Sequence, residues 1–147
     1  TNASLGRYFV KVSQPLLGRI DICVEAAPVS GEELTVRGQN ESSKTIRERV
    51  AACHEIQIRR YRNEDFFHNS RIPASRMEEF CHLGDKQQRY MEDVFKKMEL
   101  TARSYHKILR VARTIADMDG ADEIRISDLM EAVCYRSIGE KYFGGTD

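Results

Sequence analysis

Apolar side chains recur at intervals of three and four residues over positions 102–116. The positions are Ala102, Tyr105, Ile108, Leu109, Ala112, Ile115 and Ala116. This spacing places them on one broad face, which predicts an amphipathic helix packed against a core. Thr101 stands where an N-cap would, and Gly120 stands where a glycine commonly ends a helix.

The pattern from residue 45 onward predicts more helices with short connections. These run from Thr45 to about Arg62, to about Cys81 after a Pro/Ser segment, from Asp85 to Met98, and from Ser127 to about Arg136. Thr45 and Glu48 have the spacing of a capping box, and Asp85 and Ser127 are expected N-caps. The fold class is therefore mainly α, a bundle of four to five helices.

The first part of the chain has a different pattern. Residues 20–24 alternate apolar and polar side chains, which predicts a short strand that ends before Pro28. Residues 30–44 are rich in Gly, Ser and Asn, a composition typical of a linker. The predicted organisation is a strand-bearing part over 1–29, a linker over 30–44 and a helical domain over 45–147.

Composition narrows the classes of partner. Lys and Arg number 23, as do Asp and Glu, so the formal net charge is zero, which disfavours general coating of nucleic acid. No stretch approaches the roughly 20 apolar residues of a membrane span, and residues 1–12 show no signal peptide. A cytoplasmic protein without a membrane partner is expected. Because the chain does not begin with Met, it is expected to be a piece of a longer protein.

Motifs for a self-sufficient active site are not found in the sequence. It contains no phosphate-binding G-x-x-x-x-G-K-[S/T], no G-x-S-x-G, no H-E-x-x-H and no G-x-G-x-x-G. Its four cysteines are widely spaced and form no C-x-x-C pair, so no metal site is predicted. The chain alone is not expected to be an enzyme.

Arginine placement is the remaining chemical signal. Arg103, Lys107 and Arg110 recur at helical spacing opposite the apolar face, which predicts a displayed positive face, or simply a solvated helix surface. The first helix has a similar basic excess. Arg19 stands at the corner before the predicted strand, where it could reach a phosphate across an interface or pair with Asp21 or Glu25.

Several segments resemble a known family. Ser13-Gln-Pro-Leu-Leu-Gly-Arg-Ile-Asp-Ile-Cys-Val-Glu25 is similar to "S-G-P-L-L-D-R-I-D-L-x-V-E" of the magnesium-chelatase-like AAA+ ATPases of the YifB/ComM group. Residues 100–117 closely resemble that group's "L-S-A-R-A-Y-H-R-I-L-K-V-A-R-T-I-A-D", and residues 131–137 match its "E-A-x-x-Y-R-S". The resemblance covers nearly the whole chain.

The resemblance implies the C-terminal lid part of an ATPase whose ATP and Mg²⁺ are held by a preceding core. It places Arg19 at the arginine-finger position, acting on ATP of a neighbouring subunit. Arg103 takes the second-sensor position, and Lys107 is implied as a further phosphate ligand. A hexameric ring that acts on DNA, in branch migration during competence, is the implied assembly.

Two positions depart from the group's pattern, since Gln14 replaces a usual glycine and Gly18 a usual aspartate. Gly18 removes a carboxylate beside the proposed finger and loosens the backbone, so either the local geometry differs or catalysis is weaker. Two alternatives to the ATPase lid remain open. One is a non-catalytic helical module that binds DNA or a protein, and the other is a subunit for metal insertion.

Overall fold

The computed structural model describes residues 19–26 and 40–143, with the backbone alone given for 137–143. In this part the chain forms α1 (Ser43–Arg60), α2 (Met77–Phe80), α3 (Asp85–Lys97), α4 (Ala102–Met118) and α5 (Ile126–Phe143). Two 3₁₀ turns, Asn69–Arg71 and Ala74–Arg76, connect α1 to α2. The prediction of a mainly helical bundle is confirmed.

Helix starts follow local capping chemistry, and some differ from those predicted. Ser42, not Thr45, caps α1, because its hydroxyl accepts a hydrogen bond from the Thr45 N–H at 3.1 Å. Gly84 is the N-cap of α3, and Asp85 is its first residue, where a carboxylate favours the positive end of the helix dipole. Thr101 caps α4 as predicted, accepting from the Ser104 N–H at 3.2 Å.

The last helix, α5, begins two residues earlier than an N-cap at Ser127 predicts, and it ends later than predicted. The Asp128 carboxylate reaches back to the Arg125 N–H at 2.8 Å, so it closes the first turn in place of a Ser127 cap. Burial opposes ionisation of Asp128, but the hydrogen bonds from Arg125 outweigh it and lower its pKa. Helices in the described ranges are not long and apolar enough to cross a membrane.

The core lies where α4 packs against α5 and α1, and α3 packs against α5. Its fully buried centre includes Ile108, Ala112, Leu129 and Met91. An aromatic group of the same core closes the end near α2, where the rings of Tyr61, Phe66 and Phe80 have centroids 4.8–5.8 Å apart. The apolar periodicity read from 102–116 therefore does mark the face of α4 that enters the core.

The strand predicted over 20–24 is not present in the described chain. Residues 22–26 have no regular secondary structure, because a strand needs a neighbour to satisfy its backbone groups and no described segment pairs with it. The Cys23 N–H instead donates to the Tyr135 carbonyl of α5 at 3.1 Å. Gln14, Gly18, and the parts of the predicted domain divisions over 1–18 and 27–39 lie outside the described residues.

Gly120 ends α4 in a left-handed conformation with φ of 67°. Its N–H donates to the Asp117 carbonyl at 3.1 Å, and the Ala121 N–H donates to the Ala116 carbonyl at 2.8 Å. This pair of bonds is a Schellman motif, and it confirms the predicted glycine stop.

We expect Gly120→Ala to lower the free energy of unfolding by about 1–2 kcal/mol, because an L side chain strains a left-handed residue. Chemical denaturation measures the loss. Gly120→Asn is the matched control, because asparagine adopts the left-handed conformation more readily than alanine. Equal losses for alanine and asparagine would contradict the left-handed stop.

Candidate functional site

Arg103 lies in the first turn of α4 with an exposed side chain. Within the described ranges, no hydrogen bond or ion pair is recorded for its guanidinium. The first turn of a helix carries a partial positive charge from its unpaired N–H groups. An anionic ligand at this end would be attracted both by the guanidinium of Arg103 and by the N-terminus of the helix.

Lys107, one turn further along α4, is placed differently. It is buried, and its Nζ lies 2.6 Å from Oδ1 of Asp21. Arg110 is half-buried and donates to the Ile72 carbonyl at 2.7 Å. The prediction that Arg103, Lys107 and Arg110 share one solvated face is therefore wrong, because Arg103 alone of these three is exposed. Because α4 is the central helix, neighbouring segments cover parts of the side opposite its apolar face as well.

A buried polar network accounts for two further arginines. The carboxylate of Asp117 accepts from Arg60 at 2.7 Å and from Arg113 at 3.1 Å, and it also accepts from the Asn69 amide at 2.8 Å. This network joins α1, the first 3₁₀ turn and α4. The expected basic face of α1 thus contributes Arg60 to the interior and not to a partner surface.

Sequence reasoning missed this network, although one signal for it exists. Asp117 stands in the last turn of a predicted helix, where the partial negative charge of the helix end disfavours a carboxylate. Such a carboxylate needs cations from nearby. Arg113, four residues earlier, has the spacing to supply one.

Arg19 is exposed at the start of the described segment 19–26. The alternative pairing of Arg19 with Asp21 is not seen in the structure, because the Asp21 carboxylate forms an ion pair with Lys107. Arg136 of α5 connects this segment to α4: its guanidinium donates to the Ile20 carbonyl at 3.2 Å and to the Ser104 hydroxyl at 3.4 Å. The residues that follow Arg19 and Arg103 are therefore held by one side chain.

Candidate metal ligands do not converge in the described ranges. No group of three or more His, Cys, Asp or Glu side chains is placed to hold a metal ion there. Cys53 and Cys81 are buried, whereas Cys134 is exposed on α5. Burial raises the pKa of the Cys53 thiol, and it raises the pKa of the Cys81 thiol to about 11.

We expect native-state alkylation at pH 8 to modify Cys134 while Cys53 and Cys81 stay unmodified. The thiolate is the reactive form, and the raised pKa of each buried thiol leaves little thiolate at that pH. Peptide mass spectrometry after a short iodoacetamide pulse identifies the modified sites. Repeating the pulse in urea is the control, since all three should then react, and native labelling of Cys81 at the rate of Cys134 would contradict the packing.

Comparison with known proteins defines the class. A sequence model described as "Magnesium chelatase, subunit ChlI C-terminal" matches residues 40–136, the range that contains all the side chains of the helical bundle described above. The chain belongs to this family of helical C-terminal domains.

Within it, the chain is similar to YifB of Salmonella typhimurium, with 37% identity over 90% of the chain and 26% of the relative. It is also similar to the competence protein ComM of Haemophilus influenzae, with 35% identity over 90% of the chain and 25% of the relative. The chain thus spans about a quarter of the length of these curated relatives. The resemblance drawn from residues 13–25, 100–117 and 131–137 is confirmed.

Proposed function

We propose that this chain is the helical lid of a longer AAA+ ATPase, and that Arg103 and Arg19 both respond to the γ-phosphate of ATP. The observation that carries the proposal is the geometry around Arg136. Its guanidinium donates to the carbonyl of Ile20, the residue after Arg19, and to the hydroxyl of Ser104, the residue after the exposed Arg103. Two arginines held in one frame suit the charge that develops on a transferring phosphoryl group.

The side chains near α4 fit a phosphate unequally. Arg103 fits, because it is exposed and its planar guanidinium can hold two phosphate oxygens. Lys107 could bind a phosphate only by leaving Asp21. ATP with Mg²⁺ supplies the γ-phosphoryl group, and residues outside this chain would hold both. The contribution of this chain is to position positive charge at that group.

Arg19 is proposed to act on ATP bound by a neighbouring copy of the protein. An arginine that works across an interface requires an assembly, and a closed hexameric ring is the arrangement proposed here. Loss of the γ-phosphate on hydrolysis would then move the lid, and the movement of the lid would change the arrangement of subunits in the ring. The ring is proposed to be a cytoplasmic motor that remodels DNA, and one of the similar proteins, that of Haemophilus influenzae, is named a competence protein.

A DNA-binding helical module is the alternative. Arg60, Lys107 and Arg113 are bonded to carboxylates inside the molecule and do not face a partner. Lys44, Arg47 and Arg59 remain exposed on α1, and these cations are the ones that such a module would present to DNA. If the isolated chain bound DNA with a steep loss of affinity on adding salt, cationic contacts would be shown and the alternative would be preferred.

The proposal is tested first with the 147-residue chain alone. We expect no ATP turnover, because the phosphate-binding loop is not in this sequence. Turnover that rises in proportion to chain concentration would contradict the proposal. The Arg103→Ala chain is the matched control: activity that is equal in both chains and is lost on further purification identifies a contaminating ATPase.

A further inference from the structure

The segment 19–26 lies along the groove between α4 and α5 and is fastened there by polar contacts. Asp21 pairs with Lys107 of α4 at 2.6 Å. The Ile20 carbonyl accepts from Arg136 at 3.2 Å, and the Cys23 N–H donates to α5 at 3.1 Å. Contacts of Ile20, Asp21 and Cys23 thus fix the position of the segment on both helices.

The ion pair is the one of these contacts in which both partners are charged. The side chain of Lys107 is only 11% exposed, so its amine has little water to replace a lost partner. Asp21 is 57% exposed, so its carboxylate is solvated on one side. Neutralising Asp21 would therefore leave a poorly solvated cation on α4, which is costlier than losing an exposed pair.

Apolar burial contributes little to holding the segment. Ile22 and Val24 are 51% and 68% exposed, although both line a cavity of about 480 Å³ beside Ile115 and Met118 of α4. Because these side chains border the cavity without filling it, the polar contacts decide where the segment lies. Removing one of them should free the segment without disturbing the core.

We propose that Asp21, Lys107 and Arg136 form a latch that fixes the position of Arg19 relative to α4. Lys107 and Arg136 are then positioning residues for Arg19, and Lys107 is not a phosphate ligand. A movement of the α4–α5 unit would carry Arg19 with Arg103, so that one lid motion repositions both cations. The role of Arg19 in this inference rests on the proposed function, but the latch rests on the contacts alone.

The latch is tested in the 147-residue chain by hydrogen exchange of the Cys23 amide, followed by NMR. We expect Asp21→Asn to speed this exchange tenfold or more, while core amides in α4 are unchanged. The double variant Asp21→Lys with Lys107→Glu restores the pair with reversed charges and should restore protection. Glu48→Gln, which alters a loose exposed pair of 3.9 Å on α1, is the matched control. Equal exchange in wild type and Asp21→Asn would overturn the latch.

The positioning role is tested by turnover of the longer ATPase. We expect Asp21→Asn to lower kcat about tenfold with the KM for ATP unchanged, and the charge-reversed double variant to recover most of the loss. A raised KM in Lys107→Glu that Asp21→Lys does not rescue would show Lys107 to be a phosphate ligand and overturn the inference. Failure of the proposed function looks different: Arg19→Ala would leave turnover unchanged, whatever the Cys23 amide does.

Discussion

Replacing Asp117 by asparagine is expected to lower the free energy of unfolding by about 3–5 kcal/mol, the usual cost of breaking a buried ion pair from one side. The Asp117 carboxylate is fully buried, and it is the common acceptor of Arg60, Arg113 and Asn69. Asparagine keeps the volume but removes the charge, so both guanidiniums lose their anion. Urea-induced unfolding followed by circular dichroism measures the loss.

The matched control for this prediction is Asp93→Asn, the same substitution at an exposed position of α3. Its effect should stay within about 0.5 kcal/mol, as is usual for surface changes. Adding Arg60→Met to Asp117→Asn should recover part of the loss, because one of the two unpaired cations is then removed. Similar losses for Asp117→Asn and Asp93→Asn would contradict a structural network centred on Asp117.

Replacing Arg103 by alanine is expected to lower ATP turnover of the longer protein on the order of a hundredfold, with nucleotide binding retained. The chemical step gains more than ground-state binding from a cation aimed at the transferring group. Arg103→Lys should recover only part of the rate, because an ammonium lacks the planar fork that holds two oxygens. Steady-state turnover and fluorescent-nucleotide binding separate the two effects.

Arg89→Ala is the control for the change at Arg103, since Arg89 is an equally exposed arginine on α3. Its turnover should match wild type. If Arg103→Ala and Arg89→Ala lowered turnover equally, the loss would reflect general surface charge. If Arg103→Ala instead weakened nucleotide binding in the same proportion as the rate, Arg103 would be a ground-state binding residue and not a sensor of the reaction.

The helical part of the fold follows from local sequence signals. Apolar spacing over 102–116, the Thr101 cap and the Gly120 stop each rest on interactions within a few residues, and α4 begins and ends where these signals place it. The start of α1 was misplaced because Ser42 and Thr45 both suit an N-cap, and only the backbone conformation chooses between them. The spacing of apolar residues carries no information about which of two neighbouring residues becomes the N-cap.

The placement of charges could not be read from periodicity. The spacing predicts Lys107 on a displayed face of α4 and does not single out Arg113, yet both are buried against carboxylates. The reason lies in the carboxylates that pair with them. Asp21 is distant in sequence, and Asp117 lies in the segment 100–117, which served only to identify the family. A helical wheel shows which side chains oppose the apolar face, but it does not show what other segments cover them.

The roles of the candidate site residues stay a prediction of the family resemblance. It identified Arg19, Arg103 and Lys107 as a group, and the structure brings the segment of Arg19 to α4 through Asp21 and Arg136. The separate state of Lys107, paired and buried, depends on a tertiary contact between residues 86 positions apart (107 minus 21). No local pattern specifies such a contact.

The central claim, that Arg19 and Arg103 act together on one phosphate, is tested most directly by a double-mutant cycle in the longer ATPase. Turnover is measured for wild type, Arg19→Ala, Arg103→Ala and the double variant, with nucleotide binding checked in each. The account predicts a loss on the order of a hundredfold for each single change and a double loss well below the product of the two, as for residues that act as a unit. Unchanged turnover in both single variants, with nucleotide still bound, would contradict it.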